Sequence, residues 1–114
     1  MKYLLLILLL SGCTTIKELW PRAHDPILAD YIIRAGIAIE SEDCAKPNWS
    51  SVEQITRPLS EYAELRQDPQ RINLTGLNAH INRLNQGGSK MFCELGRNTA
   101  LQRIKAAKSA VESR

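Results

Sequence analysis

The sequence is poor in aromatic residues, histidine and cysteine, and it has no long hydrophobic run. Its 114 residues include one Phe, two Trp, three Tyr, two His and three Cys. With so few aromatic side chains, the core must be built mainly from Leu, Ile and Ala. The unbroken apolar run at residues 4–10 is far shorter than the roughly 20 residues that a membrane-spanning helix needs. This run therefore does not predict a transmembrane helix.

Motifs that would indicate catalysis or metal binding are also missing from the sequence. There is no H-E-x-x-H, no G-x-S-x-G, no Gly-rich phosphate loop and no C-x-x-C pair. The two histidines, His24 and His80, are far apart in sequence, and the acidic cluster at positions 40–43 lacks the spacing of a calcium loop. We therefore expect a protein that is not an enzyme, with no metal site and no cofactor.

The first twelve residues have the order of a secretory signal peptide. Lys2 supplies a positive charge, residues 4–10 form a short apolar core, and the small residues Ser11 and Gly12 follow. This order is typical of a segment that is removed on export. The mature chain would then begin at Cys13.

The sequence Leu10-Ser11-Gly12-Cys13 resembles the bacterial lipobox. The resemblance implies that Cys13 receives a diacylglycerol, that the signal is cut before it, and that its new amino group is acylated. Several acyl chains would anchor the protein permanently in a membrane. Thr14, rather than Asp, follows the cysteine, which in this family favours the outer membrane, facing the periplasm. The alternative is an ordinary signal peptide with an accidental cysteine.

This interpretation divides the chain into a signal peptide (1–12), a lipidated tether (13–24) and a domain (25–114). With Cys13 lipidated, Cys44 and Cys93 remain as an even pair. In an oxidising periplasm such a pair indicates a disulfide, the alternative being two buried free thiols. The bond would close a loop of about fifty residues and stabilise the domain by roughly 4 kcal/mol.

Residues 25–114 show helical periodicity, and no segment has the alternation of a β-strand. Asp25 and Pro26 predict the start of a first helix that ends near Asp43. Its apolar residues cover more of its surface than one packing face requires. We expect the excess to form a groove for an amphipathic helix of a partner protein. The candidate residues for the groove wall, each of which could instead belong to the core, are Leu28, Tyr31, Ile32 and Ala35.

Three further helices follow. A capping-box pattern at residues 50–54 predicts the second, which Pro58 should kink or split. Residues 73–76 are predicted to be a loop, with Thr75 capping a third helix that ends at Gly87-Gly88. Ser89 is predicted to cap the last helix. The expected fold is therefore an all-α, small four-helix bundle.

Charge is uneven along the chain. Residues 14–65 contain five basic and nine acidic residues, and residues 66–114 contain nine basic and three acidic ones. The simpler interpretation is that the two halves face each other in the fold. The alternative is a basic surface for lipid headgroups or an acidic partner. Nucleic acid is not expected as a partner in the periplasm.

The segments IAIESEDCAKPNW and KMFCELGRNTALQRI place Cys44 after the first helix and Cys93 at the start of the last. This layout resembles the pilotins of type II secretion systems, small helical lipoproteins with one disulfide. The segment after Cys93 departs from the family, which carries an aromatic residue and Asn where this chain has Gly96, Arg97 and Asn98. The resemblance implies binding the C-terminal helix of a secretin in a groove and escorting it to the outer membrane.

Two other kinds of small lipoprotein are alternatives to a pilotin. One is an exclusion lipoprotein, encoded by a phage or plasmid, that blocks a receptor or channel from the periplasmic side. The other is an outer-membrane lysis spanin subunit, which would be extended and rich in proline. Five prolines in a helical pattern argue against the spanin. A pilotin-like escort and an exclusion lipoprotein therefore remain as hypotheses.

Overall fold

The computed structural model describes residues 25–114, so the predicted signal peptide, Cys13 and the tether lie outside the described residues. Within residues 25–114 the chain forms four α-helices and no strand, which confirms the predicted all-α fold. The helices are α1 (Pro26–Glu40), α2 (Trp49–Leu65), α3 (Arg71–Asn85) and α4 (Lys90–Glu112).

The helices are arranged as an antiparallel ring. Each packs against its neighbours in chain order, and α4 closes the ring against α1. Between α3 and α4, the contacts of His80 with Gly96 and of Asn73 with Arg103 run in opposite order along the two helices. The antiparallel arrangement determines which segments lie together at each end of the bundle. One end holds the start of α1, the α2–α3 turn and the end of α4, and the other holds the disulfide.

The core lies along the axis of the bundle and is almost entirely aliphatic. Among the described residues Trp49 is the one aromatic side chain that is fully enclosed, while Tyr31 and Tyr62 pack at its edge. This agrees with the composition, which left Leu, Ile and Ala to fill the interior. The largest fully buried apolar side chains are Leu28, Ile32, Ile39, Val52, Leu59, Leu74, Leu77 and Ile81.

Local capping bonds confirm several predicted helix ends. The carboxylate of Asp25 accepts a hydrogen bond from the Leu28 amide at 3.0 Å, and the hydroxyl of Ser89 accepts one from the Phe92 amide at 3.0 Å. Gly87 follows the end of α3 with a φ of 104°, which favours glycine. These ends are set by side chains close to them in sequence, so the sequence predicts them.

The Asp25 carboxylate also joins α1 to α2. The Tyr62 hydroxyl donates to both of its oxygens, at 2.9 and 3.1 Å. Burial, followed by this hydrogen bond, raises the pKa of Tyr62 above its ordinary value of 10.0. The protonated phenol holds the N-cap of α1 against the last turn of α2.

The predicted end of α1 near Asp43 is wrong by three residues. The helix ends at Glu40, with Ser41 as its C-cap. Asp43 instead accepts a hydrogen bond from the amide of Ala45 at 2.9 Å. Such a local side-chain bond to the backbone competes with helix formation, and it begins the loop that leads to α2.

The predicted capping box of α2 is also wrong. Asn48 is the N-cap and makes no side-chain capping bond. The Ser51 hydroxyl donates to the Asn48 carbonyl at 2.8 Å. The carboxylate of Glu53, which the box would have placed on its own helix end, accepts from the side-chain amides of Asn82 and Asn85 on α3. A contact between helices has replaced the local one.

Pro58 lies inside α2 without splitting it, because the helix continues from Trp49 to Leu65. A proline in a helix interior removes one backbone hydrogen bond. Thr56, Leu59 and Ala63, on both sides of the proline, are completely buried. Packing therefore holds the two halves of α2 in one helix.

The loop predicted at residues 73–76 is helical. α3 begins at Arg71, and Thr75 is an interior residue rather than a cap. Leu74 is completely buried, and the side-chain amide of Asn73 donates to the backbone carbonyl of Arg103 on α4 at 3.2 Å. Contacts with α4 thus stabilise a turn that its Asn, Thr and Gly residues would not favour alone.

The turn between α2 and α3 is joined to the end of α4 by a buried ion pair. The guanidinium of Arg114 donates to both carboxylate oxygens of Asp68, at 2.8 and 2.7 Å. The Asp68 side chain is 2% exposed and that of Arg114 is 15% exposed. Bidentate pairs of this kind are geometrically specific. The pair fixes the end of α4 against the bundle.

Candidate partner groove

An open groove runs between α1 and α4. Its main cavity has a volume of about 220 Å³. A smaller cavity of about 40 Å³ shares Ile32, Ile33 and Lys108 with it and extends it toward the start of α1. We call this feature the α1–α4 groove. The groove is lined on α1 by Ile32, Ile33, Gly36, Ile37 and Glu40, and on α4 by Leu101, Ile104, Lys105 and Lys108.

The floor of the groove is formed where the two helices pack closely. Gly36 has no side chain, and a Cβ atom there would lie 3.2 Å from a methyl group of Ile104. Ile32 and Ile104 are buried beneath this point. On the outer side of α1, Ile33 and Ile37 are 49% and 59% exposed and stand one helical turn apart. They form an apolar wall that nothing in residues 25–114 covers.

The structure places three of the four candidate wall residues outside the groove. Leu28 and Ala35 are completely buried in the core, and Tyr31 packs against Tyr62 with ring centroids 6.1 Å apart. Only Ile32 touches the groove, as part of its floor. The exposed wall lies to one side of this stripe, because α1 packs against both α2 and α4.

Ile33 and Ile37 belong to the apolar excess of α1, but the sequence does not predict that they form the groove wall. Periodicity shows that α1 has two apolar sides, but it does not show which side faces the core. The available signal was their spacing of four residues with Gly36 between them. This spacing puts both side chains beside a gap on one side of the helix.

The α4 side of the groove carries positive charge. Lys105 and Lys108 are exposed along this rim. Lys108 has one ion-pair neighbour, Glu112 at 3.9 Å, and both side chains are more than half exposed, so the pair is weak. Lys105 has no ion pair within residues 25–114. The groove therefore combines an apolar wall with a basic rim.

Within residues 25–114 the acidic and basic halves of the chain face each other, as predicted, but they do so without forming ion pairs. α1 packs against α4 and α2 packs against α3, so the acidic half does meet the basic half. In the part of the chain that the structure describes, however, no ion pair joins them. Glu40 of α1 lines the groove opposite the two lysines of its rim, but it forms no ion pair with either of them.

The disulfide lies at one end of the groove. Cys44, just after α1, and Cys93, in the first turn of α4, are bonded, with their Cα atoms 5.7 Å apart, which confirms the predicted pair. Beside it, the guanidinium of Arg97 donates to the Glu42 carbonyl at 2.8 Å. The bond and the contact hold α1 and α4 together where the groove ends, so the groove is already formed before a ligand binds.

A second open cavity of about 280 Å³ lies on the surface of α2 and is lined by the polar residues Ser50, Glu53, Gln54 and Arg57, so it lacks the apolar wall of the α1–α4 groove. His80 bonds the Gly96 carbonyl at 2.9 Å, which is a contact between helices. Residues 25–114 contain no group of three His, Cys, Asp or Glu side chains that could hold a metal ion. Nor does this part of the chain have a helix with the length and hydrophobicity required to cross a bilayer.

Comparisons of the chain with protein-family models, with curated proteins and with solved structures found no match. By its fold the protein is a small disulfide-bonded helical bundle. Its candidate binding site is an apolar groove with two lysines on its α4 rim.

Proposed function

We propose that this chain is a lipid-anchored binding protein of the outer membrane that escorts or holds a membrane or secretion-system protein, as pilotins do. Cys13 would carry the lipid, and the α1–α4 groove would take an amphipathic helix of the partner. The protein has no catalytic role in this proposal. The supporting observation is the exposed pair Ile33 and Ile37 beside an open groove.

The groove suits a helix with a particular pattern. Apolar residues at spacings of three and four would pack against Ile33, Ile37 and Leu101. Acidic residues on the neighbouring side would face Lys105 and Lys108. Fully burying an isoleucine side chain contributes about 1.5–3 kcal/mol. The two half-exposed isoleucines together would therefore supply a substantial part of the binding energy.

The experiment compares two aspartate substitutions on the same helix. Ile37→Asp removes the groove wall, and Ile27→Asp alters an isoleucine outside the groove that is exposed to a similar extent, 54% against 59%. Both variants should fold, as circular dichroism would verify, because both sites are open to water. Partners are then captured from cells with the acylated chain and with each variant.

We expect the wild type and Ile27→Asp to retain a common membrane-protein partner and Ile37→Asp to lose it by at least about tenfold, the factor that 1.4 kcal/mol represents. Equal capture by both variants would contradict the use of the groove. Capture of a receptor or channel in place of a secretin would favour the exclusion function.

A further inference from the structure

One end of the bundle exposes the two most accessible large apolar side chains of residues 25–114. Leu65, the last residue of α2, is 81% exposed, and Ile72, in the first turn of α3, is 77% exposed. Arg66, the C-cap of α2, and Arg71, the first residue of α3, lie between them. We call these four residues the entry end, because Asp25, where residues 1–24 join the domain, lies at the same end of the ring.

The charged residues of the entry end itself are Arg66 and Arg71, while Glu112, near the end of α4 at the same end of the ring, is exposed and paired with Lys108 at 3.9 Å. The two aspartates at this end, Asp25 and Asp68, are buried and bonded within the bundle. Arg66 is exposed and makes no ion pair within residues 25–114, while Arg71 donates to a backbone carbonyl at 3.1 Å. The nearby exposed carboxylate of Glu64 is directed to the side, where it accepts from a threonine hydroxyl on α3.

We infer that the entry end rests on the phospholipid surface, with Leu65 and Ile72 at the level of the headgroups and the two arginines on lipid phosphates. The inference rests on the proposed acylation of Cys13. The twelve residues from Cys13 to His24 reach at most ~40 Å, so the domain stays near its membrane. Tethering raises the local concentration of a surface to the order of mM, so a weak contact is occupied.

This contact determines how the groove is oriented. The α1–α4 groove runs along the side of the bundle, so it stands upright on the membrane when the entry end is down. The disulfide end then points into the periplasm. A partner helix in the groove would lie along the bundle axis and would therefore be perpendicular to the membrane surface.

The test measures the depth of two matched positions. Leu65→Cys and Leu95→Cys each replace an exposed leucine, 81% and 61% accessible, at opposite ends of the bundle. Each acylated chain is spin-labelled at the new thiol and reconstituted into vesicles of phosphatidylethanolamine and phosphatidylglycerol. Collision rates with oxygen, which concentrates in lipid, and with a nickel complex, which stays in water, give the depth of each label.

We expect an oxygen-to-nickel ratio several-fold higher for the label at 65 than for the label at 95. Arg66→Glu should lower the ratio at 65, whereas Arg83→Glu, at the other end, should leave it unchanged. Equal, water-like ratios at both positions in vesicle-bound chain would overturn the inference and leave the lipid anchor intact. A chain that acquires no fatty acid in cells would overturn both, so the two failures are distinguishable.

Discussion

Single glycines determine how closely α4 packs on its neighbours. At Gly96 a Cβ atom would lie 3.0 Å from one methyl of Leu84 and closer still to the other, and Leu84 is buried. At Gly76 the added atom would meet only the guanidinium end of Arg103, 2.7 Å away, on a flexible side chain. The same substitution should therefore have opposite effects at the two sites.

We expect Gly96→Ala to lower the free energy of unfolding by about 1–3 kcal/mol, because overpacking forces the helices apart. Gly76→Ala should be neutral or raise it by up to about 1 kcal/mol, since alanine favours a helix interior over glycine. Urea denaturation of both variants measures the difference. A loss of equal size at both sites would contradict the prediction, because neither helix propensity nor the difference in packing accounts for it.

At the scale of the elements, the disulfide joins the ends of two helices that are far apart in sequence. Cys44 and Cys93 are separated by 49 residues, so the bond restricts a long loop in the unfolded chain. Replacing both cysteines with alanine should cost about 2–5 kcal/mol of unfolding free energy. Urea denaturation with and without reductant gives the measurement. Reductant should destabilise the wild type and leave the double variant unchanged, and a wild type insensitive to reductant would contradict the prediction.

The helix ends that could be predicted differ from those that could not in the range of the contacts that set them. Asp25 and Ser89 bond amides three residues away, so the sequence around them is sufficient. The start of α3 depends on Leu74 and Asn73 contacting other helices, and the role of Glu53 depends on amides of α3. Such contacts outweigh local propensity and are not visible in a sequence window.

The candidate groove shows the same division. The excess of apolar residues on α1 is a property of the sequence, and it leads to an exposed apolar surface. Which residues are exposed depends on the positions of α2 and α4. These two helices cover Leu28 and Ala35 and leave Ile33 and Ile37 exposed. The helical period determines which side chains share one side of α1, but the neighbouring helices determine which side of α1 faces solvent.

At the scale of the whole molecule, the proposed function depends on Cys13, which lies outside the described residues. Cys13→Ser should give a chain without lipid, either released into the periplasm or left uncleaved. Radioactive fatty acid fed to cells should label the wild type and not this variant. The Cys44→Ser, Cys93→Ser double variant is the matched control and should keep the label. Equal labelling of wild type and Cys13→Ser would contradict the lipid anchor.

The antiparallel ring also determines how the domain responds to tension. A pull through residues 1–24 acts on Asp25, whereas the disulfide lies at the opposite end of α1. Force on the N-terminus can therefore extract at most α1 and the start of its loop before the bond between Cys44 and Cys93 stops the extension. Residues 44–93 remain a covalent ring. A domain held by its N-terminus while a partner pulls on its groove would yield by one helix, and because α1 forms the apolar wall of the groove, this step would release the partner.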